Sequence, residues 1–250
     1  MILTYHELGH EESPDLYKVS VAHFEQHLCV LKNLSNAPSR ACDWVVTFDD
    51  GHISHYELAS PVLAKHGIQS IFFITSEWIG STNRMSQQQI RDLLAAGHQI
   101  GSHTCSHAFL PGCSDRQLQY ELHDSRKKLE DILGSNVNAI SVPYGRWDRR
   151  VLRTCRESGY TRVYTSDPWL PPAVREGIMS SGRLTIRNSF GANIVRDLLT
   201  AKGLTKVRLQ APFMAKQMLK ACIGDRLYHR IWHIVANRDA SLLPAVNRQQ

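Results

Sequence analysis

The stretch from residue 45 to residue 52 reads VVTFDDGH, and the rest of the chain takes its meaning from it. Val45 to Phe48 are β-branched or aromatic, the residue types that favour a strand, and they end on two adjacent carboxylates, Asp49 and Asp50, followed by Gly51 and His52. Neighbouring like charges repel, and a carboxylate beside an apolar core costs free energy unless it is paired, hydrogen-bonded or bound to a cation. A strand that stops on such a pair points to a site at its C-terminal end, where parallel α/β folds gather their chemistry.

Outward from that stretch, strand-like runs recur at residues 2–5, 70–75, 99–102, 139–142 and 162–165. Helical spacing fills most of the intervals. From Val21 onward, Phe24, Leu28, Leu31 and Leu34 lie along one stripe. Ser86 and Gln89 form a capping-box pattern ahead of Leu93 and Leu94, with Gly97 as the stop. Ser114 heads a longer helix that runs through Leu118, Leu122 and Leu129 to Gly134. Strand alternating with helix predicts parallel strands joined by crossovers, in a barrel or an open sheet.

The 250 residues suit one large α/β domain, with residues 1–200 as the barrel and 201–250 as a basic, amphipathic, helical appendage. Between Lys202 and Arg238 eight Lys or Arg face a single acid, Asp225, so much of the net charge of +6 sits near the C-terminus. That segment interleaves Phe213, Met218, Tyr228 and Trp232 with basic residues, a pattern that predicts peripheral contact with an anionic membrane face or packing on the barrel. No nucleic-acid motif or aromatic RNA platform accompanies the charge, and nucleic acid is not an expected partner. The six cysteines form no CxxC pair and read as reduced thiols. The opening MILTYHELGHEE lacks the basic and apolar regions of a secretory leader, which predicts a cytoplasmic protein, peripheral to the inner membrane face if the tail binds there.

Two more strand ends carry polar groups: SHTCSH, residues 102–107, follows HQIG, and PYG, residues 143–145, follows AISV. His103 and His107 are four apart, a spacing that on a helical turn sets two imidazoles on one side and suits a divalent ion. Asp49 or Asp50 can supply a third ligand, which leaves a coordination position open for water and the other carboxylate free as a base. This is the equipment of metal-assisted hydrolysis. Alone, DDG reads as a helix cap and HxxxH as two surface or core histidines; the joint occurrence at strand ends favours the site.

TFDDGH, then SHTCSH, then VPYG, in that order and over about residues 1–190, resembles the polysaccharide deacetylase family, the NodB-homology fold of carbohydrate esterase family 4. The opening ILTYHEL and the stretch YKVSVAHFEQHLCVL resemble members from exopolysaccharide gene clusters. The resemblance implies an α/β fold, a distorted (β/α) barrel of about seven parallel strands, and a divalent metal, Zn2+ first, held by Asp50, His103 and His107. It implies Asp49 as general base, with the backbone N–H of Tyr144 helping to hold the oxyanion. The implied reaction is hydrolysis of an N-acetyl group on a sugar or glycan precursor, in surface polysaccharide or glycolipid biosynthesis. Hydrolysis of a non-sugar amide and a catalytically silent carbohydrate-binding or scaffold protein are the alternatives.

The sequence departs from that pattern twice. Many members place an arginine two residues before the motif proline; here Ser141 stands there, and Arg183 or Arg187 from GRLTIRNS could approach instead. No late Leu-His motif occurs in residues 160–200 to protonate the leaving amine, and His6, at the end of ILTYH, is the candidate acid. His52 and His55 read as supporting or exposed side chains, and His229 and His233 as part of the basic tail. Pro143, Tyr144, Trp169, Arg183 and Arg187 are the expected substrate-binding residues, with Trp147 as a further aromatic and TSDPWLPP, residues 165–172, as a groove wall.

Overall fold

The structure, a computed structural model, describes residues 1–35 and 44–200 together with Val207 and Ala211. The chain divides into two units, Met1–Leu199 and Thr200–Gln250, and the strands among the described residues lie in the first. Apart from Val207 and Ala211, the expected C-terminal appendage falls outside the described residues, as do His229, His233, Cys42 and Cys222. Among the described residues, Cys29, Cys105, Cys113 and Cys155 are free thiols, and no helix is long and apolar enough to cross a membrane.

The strands are β1 Ile2–Tyr5, β2 Glu7–Gly9, β3 Lys18–Ser20, β4 Val45–Phe48, β5 Ile71–Ile74, β6 Gln99–Ser102, β7 Ala139–Ser141, β8 Arg162–Thr165, β9 Ala173–Arg175, β10 Ile178–Gly182 and β11 Leu184–Thr185. The helices are α1 Val21–Ser35, α2 Ser60–His66, α3 Gln87–Ala95, α4 Asp115–Gln119, α5 Ser125–Leu133, α6 Arg149–Glu157 and α7 Ala192–Thr200. The main sheet runs β11-β1-β4-β5-β6-β7-β8-β10-β9, parallel throughout except for the β9–β10 hairpin, while β2 and β3 form a separate parallel pair.

The expected distorted barrel of parallel strands is present, with one feature that periodicity did not show. β10 pairs with β8, β11 pairs with β1, and only Arg183 separates β10 from β11. Residues two apart along the chain cannot lie farther than about 7 Å from each other, so the sheet curls until its two sides nearly meet. Six strands plus this broken seventh make the ring. Arg183 sits at the break.

Helix boundaries follow their caps. Ser86 and Ser114 each complete a capping box, with Gln89 and Gln117, and Gly134 ends α5 at φ 64°, a left-handed conformation suited to glycine. The predicted helix from Ser114 to Gly134 exists, but a π-turn at Tyr120–Asp124 separates α4 from α5. Outside the curl, Phe24 and Leu28 of α1 join Tyr5, Phe48 and Phe72, and the last two rings stack at 4.8 Å. Inside it, Ile71, Phe73, Ala139 and Tyr164 form an apolar floor. Each large side chain so buried contributes roughly 1.5–3 kcal/mol.

Register then delivers the site. β1 and β4 align Tyr5 with Phe48, and the Asp49 N–H donates to the Tyr5 carbonyl at 2.9 Å, so His6 and Asp49 leave neighbouring strand ends together. β5 and β6 align Ile74 with Ser102, β7 and β8 align Ser141 with Tyr164, and β8 and β10 align Thr165 with Gly182. His103, Val142, Ser166 and Arg183 therefore follow at one rim.

Candidate metal and catalytic site

Asp50 and Gly51 both take left-handed backbone, φ 75° and 68°. For the non-glycine Asp50 this costs about 1–2 kcal/mol, and the turn it creates brings both carboxylates to the same rim, although adjacent strand residues ordinarily face opposite ways. Asp49 is buried at 2% exposure.

Arg183 clamps it. Its Nη1 and Nη2 donate to Asp49 Oδ1 and Oδ2, both at 2.7 Å, and Nη2 also donates to Ser141 Oγ at 2.6 Å. Ser141 Oγ donates in turn to Asp49 Oδ2 at 3.1 Å. The remaining guanidinium protons reach Thr4 Oγ1, Thr47 Oγ1 and the Thr165 carbonyl. Burial alone would raise the Asp49 pKa, but the charges of Arg183 and His103 outweigh it and hold this carboxyl well below the usual range.

His103 and His107 do not share a helical turn, contrary to the spacing argument. Residues 103–107 form a loop in which Thr104 and His107 are left-handed, φ 67° and 64°. Buried Glu121, from the π-turn, holds that loop: its Oε2 accepts from the N–H of Cys105 at 2.9 Å and of Ser106 at 3.0 Å, and its Oε1 accepts from the Ser106 hydroxyl. The His107 N–H donates to Thr104 Oγ1 at 3.1 Å. The two imidazoles converge through loop geometry, with ring centroids 4.8 Å apart.

Asp50, His103 and His107 offer three ligand atoms within 4.8 Å of one another. Asp50 Oδ1 lies 3.4 Å from His103 Nε2 and 3.6 Å from His107 Nε2. Tetrahedral ligands at about 2.0–2.2 Å from an ion stand roughly 3.3–3.6 Å apart, so the spacing fits. Two further features support the fit. Asp50 Oδ1 is buried without a hydrogen-bond partner, and His103 Nδ1 donates to the Ser141 carbonyl at 2.7 Å, which turns the lone pair of Nε2 toward Asp50. Burial pushes the His107 pKa down to about 4, and a neutral imidazole is the form that ligates. For His103 burial acts downward too, but Asp49 and Asp50 outweigh it and raise the pKa.

His6 lies close enough for its ionisation to feel Asp49, Asp50, Arg183 and His103, and burial lowers its pKa. Its ring packs beside Tyr17 with centroids 5.2 Å apart, and its Nδ1 is buried without a partner. Tyr144 is left-handed, φ 58°, half exposed, and its ring meets His107 edge to face at 4.8 Å. Pro143 is buried beneath it. Trp169 is half-buried in the 165–172 loop, whose backbone closes on Gly182: a Cβ there would stand 1.8 Å from the Asp167 carbonyl oxygen.

Two sequence expectations are corrected. Arg183 is fully buried under Asp49 and spent on hydrogen bonds, so it holds that carboxylate and is not open to a substrate. Arg187 is exposed, past β11, and has no contact with Asp49 among the described residues. Two residues went unrecognised. Glu121 carried a legible signal, an acid beside Leu118 and Leu122 on the buried stripe of a helix. Trp78 carried none; it stacks on His107 at 5.5 Å while the Arg84 guanidinium covers it at 4.3 Å and donates to the Asp50 carbonyl at 3.1 Å.

Comparison with known proteins places this geometry in context. The sequence model of polysaccharide deacetylase matches residues 37–163. YxkH of Bacillus subtilis (strain 168) is 28% identical over 183 residues, covering 67% of this chain and 64% of that protein. A chitooligosaccharide deacetylase of Sinorhizobium fredii is 28% identical over 166 residues, 63% of this chain and 75% of that protein. The chain thus spans just under two thirds of YxkH and three quarters of the rhizobial enzyme. Among solved structures, Streptococcus pyogenes deacetylase PplD in complex with acetate superimposes with a TM-score of 0.70 at 24% identity, covering 81% of this chain and 97% of that one. This likeness shows the same curled α/β fold.

Proposed function

This chain belongs to the polysaccharide deacetylase family, and from that premise we propose that its site hydrolyses the N-acetyl group of an amino sugar, releasing acetate and a free amine. The observation that carries the reading is the division of the two adjacent carboxylates: Asp49 sits in an arginine clamp while Asp50 faces His103 and His107. The names of the relatives, chitooligosaccharide deacetylase and peptidoglycan-N-acetylglucosamine deacetylase, support a sugar amide as substrate.

In this reading Asp50, His103 and His107 hold a divalent cation, Zn2+ first among candidates. Such an ion would polarise the acetyl carbonyl and lower the pKa of a water beside it from 15.7 toward about 7. Asp49, whose orientation Arg183 and Ser141 fix, accepts the proton that water loses as its oxygen bonds to the acetyl carbon. In the same reading the N–H of Tyr144, a left-handed residue at the rim, donates to the developing oxyanion, a contact worth roughly 2.7–4 kcal/mol where one has been removed elsewhere. As the C–N bond breaks, His6 gives its proton to the departing amine; burial favours the neutral ring, so the protonated form is a ready donor. Tyr144 and Trp78, on either side of His107, offer ring faces to a pyranose. The setting we propose is surface polysaccharide or glycolipid biosynthesis at the cytoplasmic side, a reading supported by the free thiols of Cys29, Cys105, Cys113 and Cys155 among the described residues.

Acetate release from N-acetylglucosamine oligomers tests this, with and without added Zn2+ and with Asp49→Asn alongside. Release that needs the metal and falls by about 10²–10⁴ in the variant is the expected result. Sugar binding without turnover would replace the enzyme with a binding protein, and turnover confined to other amides would replace the substrate.

A further inference from the structure

His55 follows the aspartates closely in sequence but takes no part in the site as described. It is fully buried, its ring packed beside Phe48 at 5.0 Å and Phe72 at 6.0 Å. A histidine in an apolar slot is neutral, and burial pushes this one down to about 3. Phenylalanine or leucine would fill such a slot at lower desolvation cost. What the imidazole adds is one hydrogen bond: Nε2–H donates to the main-chain carbonyl of His6 at 2.6 Å. The other nitrogen, Nδ1, is buried without a partner.

That bond is one of three hydrogen bonds that, with the Glu7–His52 pair at 3.9 Å, tie residues 5–8 to residues 49–55. The Tyr5 carbonyl accepts from the Asp49 N–H at 2.9 Å, the His6 carbonyl from His55, and the Leu8 N–H donates to Ser54 Oγ at 3.0 Å. His6 follows the last residue of β1 and precedes β2, so no sheet hydrogen bond fixes its carbonyl. One continuous segment therefore carries Asp49, Asp50 and the group that sets the peptide plane of His6.

We propose that His55 is a positioning residue for the reaction, its Nε2–H holding the His6 carbonyl so that the His6 ring stays aligned with the bond that Asp49 helps to cleave. The inference rests on the reading of His6 as proton donor to the leaving amine. It concerns the leaving group alone, because His55 touches neither the three candidate ligands nor Asp49 in any described contact.

The test is a rate ratio. An N-acetyl sugar expels an amine that must be protonated, whereas 4-nitrophenyl acetate expels a phenolate that leaves unaided. The ratio of kcat on the two substrates is independent of how much of a preparation is folded. His55→Gln keeps an N–H donor and His55→Met keeps the length without one. His55→Met is expected to lower kcat on the sugar by about 10–100-fold with little change in KM, and to lower kcat on the ester far less, while His55→Gln recovers most of the loss. His6→Ala in parallel separates the two readings. If it lowers the sugar-to-ester ratio and His55→Met does not, or if Gln and Met behave alike, the positioning role is overturned while the acid stands. If His6→Ala leaves the ratio unchanged, the acid reading fails and this inference falls with it.

Discussion

Asp49 and Asp50 are adjacent in sequence and opposite in circumstance. Asp49 is neutralised by the protein itself: both its oxygens are met by Arg183, and Ser141 adds a third hydrogen bond. Asp50 has two imidazoles aimed at it, yet its Oδ1 accepts no hydrogen bond, although it is buried. A native protein seldom leaves a buried carboxylate oxygen so, because desolvation costs several kcal/mol per ion. The contrast teaches that the first carboxylate is built into the fold, whereas the second sits among groups that suit a cation. Removing protein groups should injure the Asp49 region most, whereas adding or withdrawing metal should act on the Asp50 region alone.

The largest effect is expected at Arg183. Arg183→Met leaves Asp49 buried and unpaired, a change that typically costs about 3–5 kcal/mol, and urea unfolding should show a loss of that size together with loss of deacetylation. Asp49→Asn combined with Arg183→Met should restore part of the stability and none of the activity. If the single variant costs less than about 1 kcal/mol, water reaches Asp49 and the contrast between the two carboxylates disappears.

Next in size is the response to metal. Zn2+ at a hundred times its dissociation constant should stabilise the wild type by about 2.7 kcal/mol through linkage, visible as a higher Tm that EDTA reverses. Asp50→Asn should abolish the shift, because it removes one of the three candidate ligands. An equal shift in the variant would move the cation site elsewhere.

The sequence displayed the Asp50 region far better than the Asp49 region. The motif order located Asp49, Asp50, His103 and His107 at strand ends, and capping residues placed α3, α4 and the end of α5. The convergence of the histidines was legible but its cause was not, because two left-handed residues in SHTCSH leave no periodic trace. β9, β10 and β11 were invisible for a related reason: IMSSG and LT are short and carry small polar residues where a buried strand usually shows Val or Ile. Without the break between β10 and β11, Arg183 and Arg187 were equal candidates; the fold separates them by burying one under Asp49 and exposing the other.

A buried histidine with no described contact to Asp49, Asp50, His103 or His107 provides a smaller effect and a control. The Tyr5 hydroxyl and His27 Nδ1 are 3.1 Å apart, and His27 Nε2 lies 2.6 Å from the Phe190 carbonyl, which together pin α1 to β1 and to the segment before α7. Burial lowers its pKa from 6.5 to about 4. The folded state thus prefers the neutral ring, so its contribution to stability is complete above pH 6.5 and is lost as pH falls from 6.5 toward 4. The loss across that window is about 2.5 kcal/mol, since the slope nears roughly 1.4 kcal/mol per pH unit only in its middle. Urea midpoints for wild type and His27→Gln across that window should converge on acidification, and parallel curves would assign the acid sensitivity to another group.

The smallest effect separates the two regions most cleanly, because one residue serves both by different atoms. Ser141 Oγ links Arg183 to Asp49, whereas the Ser141 main-chain carbonyl orients His103. Ser141→Ala deletes the first contact and leaves the second, since the carbonyl belongs to β7 and survives any side-chain change. Loss of a buried hydroxyl that both donates and accepts should cost about 1–2 kcal/mol. A slight drift of Asp49 from its orientation should lower kcat about tenfold. Zn2+ affinity, read from the metal-induced Tm shift, should not move. If affinity falls along with kcat, the hydroxyl holds the two carboxylates as one unit, and the separation between a base fixed by protein and a ligand waiting for a cation has to be abandoned.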